Sequence, residues 1–114
     1  MRYLTIFRSI ETEAPPTDQE MGAMGALIEE MTAAGVLVTA EGCAPSRQGF
    51  RIRRDGDRLI RTDGPFTETK EVVGGFAIID VVSADEADHW TRRFLEVAGD
   101  GESEVRPLYD EPAA

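Results

Sequence analysis

Residues 2–8 alternate, with Leu4 and Ile6 pointing to one side and Tyr3, Thr5 and Phe7 to the other. That is the period of a strand, and both of its faces carry apolar groups. A loop closed by Pro15-Pro16 follows, and from Thr17 the period lengthens. Met21, Met24, Leu27, Ile28 and Met31 recur at helical spacing, Thr17 and Glu20 have capping-box spacing, and Gly35 is placed to stop the element. The methionine stripe reads as adaptable core. Residues 36–41 return to alternation, with Val36, Val38 and Ala40 opposite Leu37, Thr39 and Glu41. Two further alternating runs, 50–54 and 58–62, flank Asp55-Gly56-Asp57, a strong hairpin signal. The longest apolar run is 72–82, opened by Gly74-Gly75, a pair that suggests a bulge or a close backbone approach. Ser83 and Glu86 repeat the capping-box spacing. Ala87, Trp90, Phe94 and Val97 form the buried stripe of a second helix, which stops at Gly99. A strand over 104–109 and a short flexible tail to residue 114 complete the chain.

The order is β-α-β, hairpin, β-α-β. Setting the hairpin aside leaves two βαβ halves, which predicts an α+β, ferredoxin-like fold: an antiparallel sheet with two helices on one face. One layer of helices cannot cover both faces of a sheet. The uncovered face is expected to include Tyr3, Phe7, Phe76 and Ile78. The simplest cover for it is the same face of a second copy, in a two-fold homodimer.

Composition narrows the partners. At 114 residues the chain reads as one domain with a core of its own. Twenty-two acidic against twelve basic residues give a net charge of -10. Such a protein is repelled by nucleic acid and by anionic membranes. The hairpin is the basic exception, with Arg51, Arg53, Arg54, Arg58 and Arg61, read as charges that discourage edge pairing. A single cysteine, Cys43, excludes an internal disulfide and multi-cysteine zinc patterns. No apolar stretch reads as a signal peptide or a membrane span, so a cytoplasmic setting is expected.

The polar stretch between the hairpin and the long apolar run carries more than a turn requires. Asp63-Gly64-Pro65-Phe66 leads into Thr67-Glu68-Thr69-Lys70-Glu71. Pro65 fixes its own φ, Gly64 supplies backbone freedom, Asp63 can cap the bend, and Phe66 can anchor it. Both a well-anchored turn and a turn lining a binding site fit. Together with Gly74-Gly75-Phe76, Ala34-Gly35-Val36-Leu37, Glu41-Gly42 and the closing Glu104-Val105-Arg106-Pro107-Leu108-Tyr109, this stretch resembles the DGPF branch of the YCII-related (YciI-like) proteins. The resemblance implies a ferredoxin-like fold of the dimeric α/β-barrel superfamily. It implies two kinds of role: cofactor-free enzymes acting on small ring compounds, or accessories of extracytoplasmic-function sigma factors.

The enzymes of the wider family are thought to use a His–Asp pair. The one histidine here, His89, falls on the solvated side of the second helix. Any chemistry would therefore rest on carboxylates, Asp63 first and Glu41 second, near the turn. Phe66, Glu68, Lys70, Arg106 and Tyr109 are the candidate ligand contacts, with Ser46 and Cys43 weaker. No metal-ligand spacing, phosphate loop or nucleophile elbow is present. The expectation is a small organic molecule bound in a pocket near the turn without a cofactor. It would undergo isomerisation or elimination, or else be bound by a non-catalytic regulatory protein.

Overall fold

A computed structural model describes residues 1–12 and 14–109. Strand β1 (Arg2–Ser9) leads to helix α1 (Asp18–Ala33) and strand β2 (Leu37–Gly42). A short helical turn (Ser46–Gln48) precedes β3 (Phe50–Asp55) and β4 (Arg58–Asp63). Then come β5 (Val72–Asp80), α2 (Ala84–Ala98) and β6 (Glu102–Pro107). The main sheet has the order β2-β5-β1-β6, and every neighbouring pair in it is antiparallel. With both helices against one face, this is the α+β, ferredoxin-like arrangement expected. Strands β3 and β4 pair only with each other, as a separate two-stranded ribbon.

Both N-caps form at the predicted residues. Thr17 Oγ1 accepts from the Glu20 amide at 3.1 Å and donates to the Glu20 carboxylate at 3.1 Å. Ser83 Oγ accepts from the Glu86 amide at 3.2 Å, while the Glu86 carboxylate accepts from the Val82 amide at 3.0 Å. Each N-cap hydroxyl satisfies one amide that the first helical turn leaves without a partner, while the glutamates bond the Thr17 hydroxyl and the Val82 amide rather than the N-cap amides. Gly35 follows α1 with φ 74°, the left-handed stop that the sequence predicts. Arg93 of α2 grips Glu30 of α1 through two bonds of 2.6 and 2.7 Å, tying the helices together. That pairing holds the Glu30 carboxyl below its usual range, chiefly by the hydrogen bond from Arg93.

Register corrects the expected sheet faces. Tyr3 stands opposite Ile79, and both are buried in the core with Leu27, Met31, Val36, Val81, Ala87 and Trp90. Phe7 also turns toward the helices, where it meets Phe94 edge-on with ring centroids 5.2 Å apart. The uncovered face therefore carries Leu4 beside Ile78 and Ile6 beside Phe76. Tyr3 and Phe7 do not belong with Phe76 and Ile78, because antiparallel pairing puts partners on the same face. Strand β2 departs from simple alternation as well. Its register slips between Leu37 and Thr39, so Leu37 and Ala40 share the helix face and Val38 is left exposed. Of the methionines in the α1 stripe, Met31 is buried but Met21 is exposed.

Candidate functional site: a cavity between the helices and the sheet

The register lays the helix face of the sheet out in rows. Tyr3, Ile79 and Leu37 form one row across β1, β5 and β2 and fill the space beneath the helices. The next row is Thr5, Ala77 and Ala40, and the one after it Phe7, Gly75 and Gly42. Apart from Phe7, these two rows have almost no side-chain volume. Helix α1 bridges over them and leaves a cavity of about 390 Å³. Met24, Leu27 and Met31 roof it, Trp90 and Phe94 wall it, and Ala77 and Ile79 floor it. The volume lies in the range of small-molecule sites, and the lining is predominantly apolar.

Close backbone contacts hold the end of the sheet where the cavity opens. A Cβ on Gly75 would lie 2.8 Å from the Glu41 carbonyl oxygen, so the glycine lets β2 and β5 approach. The register shift between β1 and β5 falls beside Gly74, which realises the bulge suggested by Gly74-Gly75. Of the exposed lining residues, Pro16, Glu20 and Met21 and the backbone of Glu41–Gly42 lie at this end and mark the mouth, while Ile28 lies farther along α1. Thr5, Thr91 and Ser103 are the hydroxyl-bearing residues of the lining. The Thr91 hydroxyl already donates to the Ala87 carbonyl at 2.8 Å. Of the two acidic residues in the lining, Glu20 is engaged by its cap, and Glu41, paired with Phe76, turns its carboxylate to the uncovered face of the sheet. Among the described residues no group of three His, Cys, Asp or Glu side chains is placed to hold a metal.

A second, shallower groove of about 370 Å³ lies beside the Asp63–Phe66 turn, between Phe50, Arg51, Phe66 and Val72–Val73. The turn is held by the 43–49 loop. Gly64 N donates to Gly49 O at 2.9 Å, and a Cβ on Gly64 would stand 1.7 Å from the Ser46 carbonyl oxygen. Contact, rather than a left-handed φ, is what requires glycine here. The Glu11 carboxylate accepts from the Ser46 hydroxyl at 2.5 Å and from the Ser46 amide. These bonds hold the Glu11 carboxyl below its ordinary range, the side-chain bond most.

The residues singled out from sequence fall in different places. Glu41 edges the cavity with its backbone, while its pairing with Phe76 turns the carboxylate to the opposite, uncovered face. Phe66 lines the groove, with the Arg51 guanidinium 3.7 Å from its ring centre, and Glu68 pairs with the same arginine at 2.9 Å. Asp63 lies outside both spaces, its side chain 74% exposed and paired with Arg61 at 2.9 Å. Lys70 is exposed. Arg106 faces solvent on β6 and pairs with Glu104 at 3.5 Å. Tyr109 is fully exposed, and the rest of the expected tail lies outside the described residues. Ser46 belongs to the turn scaffold, while Cys43 and His89 are exposed. The cavity-lining residues Phe7, Met24, Trp90 and Phe94 read in the sequence as ordinary core. The signal that could have found the cavity is the pairing of small residues, Thr5, Ala77 and Ala40, on neighbouring strands.

Fold and site together define a ferredoxin-like α+β domain with a small apolar chamber between its layers and a separate arginine-rich ribbon. The chain belongs to the YCII-related family, whose domain model matches residues 1–111. It is also similar to an uncharacterized protein of Rhizobium meliloti (strain 1021). The two are 34% identical over 92 residues, which cover 80% of this chain and 74% of that protein. No helix of the described residues is long and apolar enough to cross a membrane.

Proposed function

We propose that this protein binds a small, mainly apolar organic molecule in the helix–sheet cavity, and that it works as a homodimer joined through the uncovered sheet face. The observation that carries the first part is the chamber itself: about 390 Å³, roofed by methionines and walled by Trp90 and Phe94. Methionine and aromatic walls adapt to ring-sized ligands. The support for pairing is the patch of Leu4, Ile6, Ile78 and Phe76, unshielded by any element among the described residues and rimmed by Arg8, Glu104 and Arg106. Cofactor-free isomerisation or elimination is the reaction class to test in this chamber, by a group other than Glu41, whose pairing with Phe76 turns its carboxylate to the uncovered face. A non-catalytic regulatory accessory, linked to a sigma factor, would bind in the same chamber without turnover. It would also reserve an exposed apolar surface for another protein.

Trp90 is the chain's one tryptophan and lines the cavity, so it reports occupancy directly. The neutral probe N-phenyl-1-naphthylamine should quench Trp90 emission and brighten on binding, with a dissociation constant on the order of 10 μM. Glu41→Gln should leave that affinity within about twofold, since the probe is neutral and the carboxylate is on the opposite face of the sheet. Absence of energy transfer from Trp90 would reject the chamber as the binding site.

A further inference from the structure

We propose that the β3–β4 ribbon is a clasping arm that closes on a second copy of this chain. Every residue of both strands is exposed, and neither strand pairs with the main sheet. A lone two-stranded ribbon is marginally stable in water. This one is held at its base, by Gly64 on Gly49 and by Arg51 on Phe66 and Glu68. Its register puts Phe50, Ile52 and Leu59 on one face, 53%, 62% and 73% exposed, with Arg54 and Arg61 beside them. The molecule is correspondingly extended. Its Cα radius of gyration is 16.2 Å, against about 13 Å for a compact chain of this length.

Charge selects the occupant. The arm, residues 50–63, has five arginines against three aspartates and carries +2. The remaining residues hold seven basic and nineteen acidic groups and carry -12. Two such bodies repel each other, and a basic ribbon laid between them offsets that repulsion while burying its apolar stripe. A second copy supplies both the acidic surface and, by symmetry, a second arm, so the contact is made twice. This clasp adds to the sheet-face pairing proposed above and is separable from it.

The test is sedimentation equilibrium on the full chain and on two variants, with circular dichroism and Tm as folding controls. Ile52→Ser with Leu59→Ser should raise the dimer dissociation constant about 100-fold or more, because two apolar side chains lose their burial at each of two equivalent contacts. Arg54→Glu with Arg61→Glu, on the same face as the stripe, should weaken it in the same direction. Hydrogen exchange on the unmodified chain gives an independent readout. Amides of 50–63 should exchange fast at low protein concentration and slow at least about tenfold once dimers form. A dimer unaffected by either variant, with concentration-independent exchange in the ribbon, overturns the clasp and leaves the sheet-face pairing standing. A chain that stays monomeric at every concentration overturns both.

Discussion

At the scale of single residues, glycine separates positions where the backbone is crowded from positions where it is free. Alanine at Gly64 would drive a methyl group into the Ser46 carbonyl, 1.7 Å away, and backbone cannot yield as a side chain can. Gly64→Ala should lower stability by at least about 2 kcal/mol, seen as a drop in Tm. At Gly22, on the exposed side of α1, an added Cβ would meet nothing within 4 Å. Gly22→Ala should instead stabilise the protein by about 0.5–1 kcal/mol, since it lowers the unfolded chain's entropy and suits a helix interior. Opposite signs in the two melts are the expected result. The same contrast explains what could be read of the turn beforehand. Its rigidity was legible in Asp63-Gly64-Pro65-Phe66. Its neighbours were not, because Ser46 and Glu11 are distant in sequence. Asp63, the first carboxylate suggested by the sequence, has Arg61 two residues away on the exposed ribbon, a pairing that local order alone could not rank above a pocket.

At the scale of elements, capping chemistry and period were enough to place both helices and most strands, since these depend on residues close in the chain. The slip in β2 was not legible, because alternation continues through Val38 and only pairing with β5 exposes the shift. Two carboxylates join elements that the sequence leaves apart: Glu11 ties the segment after β1 to the Ser46 turn, and Glu30 ties α1 to α2. Both have pKa values lowered from 4.5 in the folded chain. A lowered pKa gives stability that is fully present above the unfolded value and is lost as pH falls through the folded one. Glu11→Gln should therefore be less stable than the parent at about pH 7, and the gap should narrow toward about pH 3. Thermal melts across that range measure the gap. A difference that stays constant with pH would show that the charge on the carboxylate contributes nothing.

At the scale of the whole molecule, the fold was legible and the chamber was not. A βαβ order fixes layers, whereas a cavity depends on which small side chains meet across strands and how far a helix stands above them. Thr5, Ala77 and Ala40 meet in the middle of the sheet, and nothing in any one of their strands announces it. That arrangement makes the sign of one substitution informative. In a close-packed core, Ala77→Leu would force neighbours aside and cost about 1–3 kcal/mol. Over a chamber of about 390 Å³ the larger side chain has room. It should bury its added carbons against Phe94 and Met24 and stabilise the fold by about 1–2 kcal/mol. It should also displace N-phenyl-1-naphthylamine, raising that probe's dissociation constant at least about tenfold. A gain in Tm joined to a loss of probe binding is the outcome expected of a cavity kept open for a ligand. A fall in Tm would mean that the helices close onto the sheet in solution, leaving no chamber for a ligand to enter.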